Sequence, residues 1–144
     1  MNRSSAFYVY AGAIPFVICT ALLIFDVDVL PFLGSTVTVL SVYTLIIVSF
    51  LAGSLWGQHL YVEGELKDFL PIYGNIFAIS LWLAYLVLPY RFWLVIVGLI
   101  LIFLRVVDHM LFNNGFVDDG YMKARLDATW IVIITLCISG FFAD

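Results

Sequence analysis

Residues 92–112, FWLVIVGLILIFLRVVDHMLF, decide the fold. No charge interrupts the run from Phe92 to Leu104, and the whole block has the length of about 20 residues that a helix needs to cross the hydrocarbon core of a bilayer. It shows no period-two alternation, whereas a barrel would be written in alternating segments of roughly ten residues. Four further blocks read the same way: about Ala6 to Phe25, about Thr36 to Gly57, Phe69 to Leu88, and about Tyr121 to Phe142. The sequence therefore predicts an all-α integral membrane bundle of five up-and-down transmembrane helices, with residues 1–144 forming one helical domain. Composition agrees. Of 144 residues, 65% are hydrophobic and 11% charged, too few charges to wet the surface of a soluble domain, which carries about 25%.

Lysine and arginine set the expected orientation. With five spans, Arg3, Lys67, Arg105, Lys123 and Arg125 fall on one side and Arg91 alone on the other. This places the N-terminus in the cytoplasm and the C-terminal Asp144 outside. Arg3 precedes a block long enough to stay in the bilayer, and no A-x-A-like site follows it, so the first helix is expected to be retained. A net charge of −4 argues against nucleic-acid binding, which calls for a basic patch.

The connections are short. Pro31 and Gly34 break the chain after span one, and Pro89-Tyr90-Arg91 is read as the turn between spans three and four. Asn113-Asn114-Gly115 closes span four through a left-handed residue, and Asp118, Asp119 or Gly120 starts span five. Tyr61 to Asp68 is expected to form a short surface helix, with Asp68 capping span three and Pro71 in its first turn. Pro15 is different, because it lies inside span one beside Gly12. It deprives the Ala11 carbonyl of its helical donor and is expected to kink or open the helix there. Cys19 and Cys137, each within an apolar span, read as small core residues rather than a disulfide or metal pair.

Ser49, Gly53 and Gly57 recur every fourth residue on span two, giving overlapping small-xxx-small patterns. Such a stripe lets a second backbone approach closely. The expected occupant is another span of the same chain, for which the segment around Gly12 and Pro15 is a candidate, with a second protomer or another membrane protein as the alternative.

Ionisable residues gather in the last two spans: Arg105, Asp108 and His109 on the fourth, Lys123, Arg125 and Asp127 on the fifth. If the turn centres between Phe116 and Val117, an antiparallel hairpin sets Asp108 level with Arg125 and Arg105 nearly level with Asp127. Two oppositely oriented ion pairs are expected, since a charge at membrane depth is expensive and tends to pair or to face a cavity. They are read either as an interfacial staple or as a binding or relay site opening to the cytoplasm. His59 and His109 fall on the same side, and bis-histidine ligation of a haem is the remote alternative. No nucleophile elbow, phosphate loop or metalloprotease motif is present, and no metal site is expected. Asn75, Ser80, Thr129 and Thr135 read as interhelical hydrogen bonders.

Ala11-Gly12-Ala13-Ile14-Pro15-Phe16, Tyr43, Ser49-Phe50-Leu51 with Gly53 and Trp56-Gly57, Asp108, and Tyr121 with Arg125 and Thr129 together give a family pattern. The chain resembles the transmembrane protein 69-like family, a domain of unknown function (3429), over nearly its whole length. The family pattern often has a histidine immediately before the tryptophan; Leu55 stands there, so no role of that histidine carries over, and His59 is not its equivalent. The resemblance implies a small multi-pass protein of the bacterial inner membrane, or of the mitochondrial inner membrane if the source is eukaryotic, and supplies no reaction. The leading expectation is a non-enzymatic accessory, assembly or stabilising partner of a membrane complex. A small-molecule or ion carrier using Asp108, Arg125, His59 and His109 is the alternative, and a haem- or quinone-linked redox protein the third.

Overall fold

A computed structural model of the chain describes residues 3–113, 115 and 119–143. Five long helices follow one another: α1 (Arg3–Ile24), α2 (Thr36–His59), α3 (Glu65–Val87), α4 (Tyr90–Asn113) and α5 (Asp119–Phe142). All five are long and apolar enough to cross a membrane. The protein is a multi-pass membrane protein, all-α in its spans. Each helix extends past the expected boundary at one end at least, while α1 and α3 stop one residue short of Phe25 and Leu88 at the other; polar and aromatic residues continue a helix once it has nucleated.

Between α1 and α2 the chain forms a small antiparallel hairpin that hydropathy did not reveal, β1 (Val29–Leu30) paired with β2 (Gly34–Ser35). α1 ends in a Schellman arrangement. The Val27 N–H donates to the Leu22 carbonyl at 2.8 Å and the Asp26 N–H to that of Leu23 at 3.2 Å, with Asp26 left-handed at φ 61°, a conformation its short polar side chain tolerates. Thr36 locks the hairpin base: its N–H donates to the Asp28 carbonyl at 2.9 Å and its hydroxyl to the Val27 carbonyl at 2.6 Å. At the tip, Phe32 also has positive φ, 66°. For a bulky L-residue that costs roughly 1–2 kcal/mol.

The second connection differs from expectation. No separate surface helix forms over Tyr61 to Asp68, and Asp68 does not cap α3. Gly64, at φ 89°, occupies the N-cap, and Glu65 and Asp68 lie in the first turn, where carboxylates favour the positive end of the helix dipole. Pro71 consequently lies beyond the first turn, and the Lys67 carbonyl loses its helical donor. The third turn is tighter than Pro89-Tyr90-Arg91. Leu88 is extended, as a residue before proline prefers, and Tyr90 and Arg91 are already helical. Gly115 is left-handed at φ 80°, as expected for the close of α4. Asn114, Phe116, Val117 and Asp118, on which the expected centre of that turn falls, lie outside the described residues.

The packing divides into two units. Residues 1–44 and 105–144 make the first, in which α1 and α5 pack along their length. Tyr10 meets Asp127 and, further along both helices, Thr20 meets Thr135, so α1 and α5 run parallel, as the first and last of five alternating spans must. α1 continues through Pro15 without opening. Residues 45–104 make the second unit, held by α3 against the later part of α2 and the earlier part of α4. There Trp93 is buried, its indole N–H donating to the Leu81 carbonyl at 3.3 Å and its ring meeting Tyr85 edge-on. Phe77, Tyr73 and Phe103 form an aromatic cluster with centroids 5.2–6.1 Å apart.

Candidate functional site

The intramembrane charges of the first unit converge on α4 and α5. Arg125 sends both Nε, at 3.1 Å, and Nη2, at 2.8 Å, to Oδ2 of Asp108. The pair is withdrawn from its surroundings, with 4% of the Asp108 side chain and 11% of the Arg125 side chain exposed. Two charge-assisted bonds on one oxygen fix the guanidinium plane, and the Tyr121 ring lies one turn earlier, 6.0 Å from the guanidinium carbon. The expected pairing of Asp108 with Arg125 is thus present.

The second expected pair is not. Arg105 and Asp127 do not meet: Arg105 Nη1 donates to the Met122 sulfur at 3.2 Å, and Asp127 Oδ2 accepts from the Tyr10 hydroxyl at 2.8 Å. The reason is α1. A register argument for an α4–α5 hairpin cannot anticipate that α1 packs on α5 and brings a phenol to Asp127. Tyr10 and Met122 were not legible as partners, because neither carries a formal charge.

The Gly12–Pro15 segment is met by a polar group. The Tyr43 hydroxyl donates to the Gly12 carbonyl at 2.9 Å, next to the Ala11 carbonyl that Pro15 deprives of its donor. The Tyr43 ring stacks edge-on against the fully buried Phe16 at 5.1 Å. The bond from α2 thus reinforces the backbone beside the proline, in keeping with the tolerance of helix-breaking residues in spans that have polar neighbours.

Ser49, Gly53 and Gly57 are exposed, and the space beside Gly53 and Gly57 is open, so within the second unit neither α3 nor α4 covers this face. A Cβ on Gly12 would likewise meet nothing within 4 Å. The close approach in the second unit is made by Gly74 of α3, where an added Cβ would lie 2.7 Å from the Ala52 carbonyl oxygen. Gly74 was missed; the signal was there in Gly74 and Ala78, four residues apart. Trp56 Nε1 donates to Asn75 Oδ1 at 2.9 Å across the same pair of helices, as expected of Asn75.

His59 belongs to the second unit and His109 to the first. His59 Nδ1 contacts the Trp56 carbonyl oxygen, and its ring meets the Trp56 ring edge-on; His109 is exposed. Among the described residues no group of three or more His, Cys, Asp or Glu side chains gathers as a metal site. Cys19 is buried as expected, whereas Cys137 faces outward from α5.

No curated protein and no solved structure matches the chain. The profile of the family described as a protein of unknown function (DUF3429) matches residues 1–141, and the chain belongs to that family.

Proposed function

We propose that the protein is a non-enzymatic accessory, assembly or stabilising subunit of a larger membrane complex, with its N-terminus in the cytoplasm and its C-terminus outside. One observation carries the reading: the membrane-depth charges are spent on one another and on neighbouring side chains, Asp108 on Arg125, Asp127 on Tyr10, and Arg105 on the Met122 sulfur. A carrier needs such groups around an opening. Meanwhile Ser49, Gly53 and Gly57 face outward, and lipid offers no hydrophobic drive to cover them, so the partner that suits this face is a transmembrane helix with small residues of its own. The five-to-one distribution of Lys and Arg supports the orientation, and the family resemblance supports an inner membrane. Native isolation in mild detergent followed by mass spectrometry tests the reading. The protein is expected to travel with a defined membrane assembly, and Gly53→Ile is expected to release it. Migration alone at every step would sink the proposal.

A further inference from the structure

The α1–α2 hairpin presents an apolar tip that none of the described residues covers. Its base is hydrogen-bonded through Asp26, Val27 and Thr36, which ties the hairpin to the end of α1. Phe32 is fully exposed, at 107%, and Leu33 and Val29 are exposed at 67% and 70%. Phe32 also occupies a backbone conformation that glycine or asparagine would adopt with less strain. A sequence that places a phenylalanine there gains no internal contact for it.

From this placement we infer that the hairpin tip is a lipid-interface anchor, with Phe32 and Leu33 seated at the boundary between headgroups and acyl chains of the bilayer that α1 and α2 cross. Two observations select lipid as the occupant. The hairpin joins two helices long and apolar enough to cross a membrane, and it follows directly on Ile24 and Phe25 at the end of α1, which are 41% and 77% exposed. The hairpin also carries no Lys, Arg or His between Phe25 and Ser35, only Asp26 and Asp28. Attraction to anionic headgroups calls for basic residues, so the partner chemistry is a zwitterionic interface entered by apolar contact. The two aspartates, one on each side of Val27, mark the edge that stays in water. Phe and Leu are among the side chains that interfacial segments bury at that boundary.

The test uses the full chain with Cys19→Ala and Cys137→Ala, reconstituted in phosphatidylcholine nanodiscs and carrying a nitroxide at Leu33→Cys or Asp28→Cys. Collisions with oxygen, which concentrates in lipid, are compared with collisions with a water-soluble nickel chelate. The label at position 33 is expected to favour oxygen and the label at position 28 the nickel chelate. Adding Phe32→Asn, which keeps the left-handed backbone and removes the ring, is expected to abolish the oxygen preference at position 33. Equal nickel access at both positions would overturn the anchor. Shielding of position 33 from both reagents would also overturn it, by assigning the tip to a protein partner or a second copy.

Discussion

Replacing Gly74 by alanine should loosen the second unit although alanine is the better helix former. The new methyl would lie 2.7 Å from the Ala52 carbonyl oxygen, 0.7 Å inside the 3.4 Å at which ordinary contact begins, and 3.6 Å from the Leu55 Cβ. The obstructing atom is backbone, so no side chain can swing away; α2 and α3 must part by about that shortfall. A gap of 0.5–1 Å forfeits roughly a quarter to a half of the dispersion well for each pair of atoms it separates, and overpacking of this kind costs about 1–3 kcal/mol. The Trp56 to Asn75 hydrogen bond spans the same crossing at 2.9 Å, and stretching it removes part of about 0.5–1.5 kcal/mol. Against this, alanine returns about 0.8–1.0 kcal/mol of helix propensity. The net expectation is a loss of about 0.5–3 kcal/mol, read as a lower thermal unfolding midpoint in detergent by circular dichroism. Gly53→Ala is the control: with open space beside it, the propensity gain stands alone and the isolated protein should hold or gain stability. A Gly74→Ala protein that melts at or above the unaltered chain would refute the close approach.

Three further outcomes are expected. Asp108→Asn strands the Arg125 guanidinium at 11% exposure and should cost about 3–5 kcal/mol, as removal of one partner of a buried pair does; the Asp108→Arg/Arg125→Asp exchange should recover most of that loss in the same melting assay if the pair is structural. Tyr43→Phe keeps the stacking on Phe16 and deletes the bond to the Gly12 carbonyl, so a loss of about 0.5–1.5 kcal/mol is expected, with faster hydrogen exchange around Phe16 in α1 as the local readout. Asp26→Gly relieves a left-handed non-glycine residue at the end of α1 and should raise stability by up to about 1 kcal/mol; an unchanged or lower midpoint would speak against the Schellman closure.

The charged residues show how far register reasoning reaches. Asp108 and Arg125 could be set level from the sequence because both lie close to one turn, and two helices joined by a short connection are constrained to be antiparallel neighbours. Arg105 and Asp127 belonged to the same calculation and failed in it, because Asp127 turns toward α1, a helix more than 100 residues earlier whose position no local rule supplies. The hairpin tip escaped notice for a different reason: Val29, Leu30, Phe32 and Leu33 read as an apolar fringe of the spans, and two-residue strands leave no periodicity to detect. Asp68 was a plausible cap by residue type, but Gly64 with its positive φ started the helix one turn earlier.

By itself the sequence determined that this is a five-span helical membrane protein, where its charges lie along each span, and roughly where the connections between spans fall, because length and hydropathy act locally. Tertiary structure alone decided which side of each span faces inward. In a soluble helix a polar stripe marks the outside; in α1 and α2 both the packed and the lipid-facing sides are apolar, and lipid rewards neither. The choice between Gly53, left facing outward, and Gly74, pressed against Ala52, was therefore made by side-chain packing and by a few interhelical hydrogen bonds such as those of Tyr10, Tyr43 and Trp56.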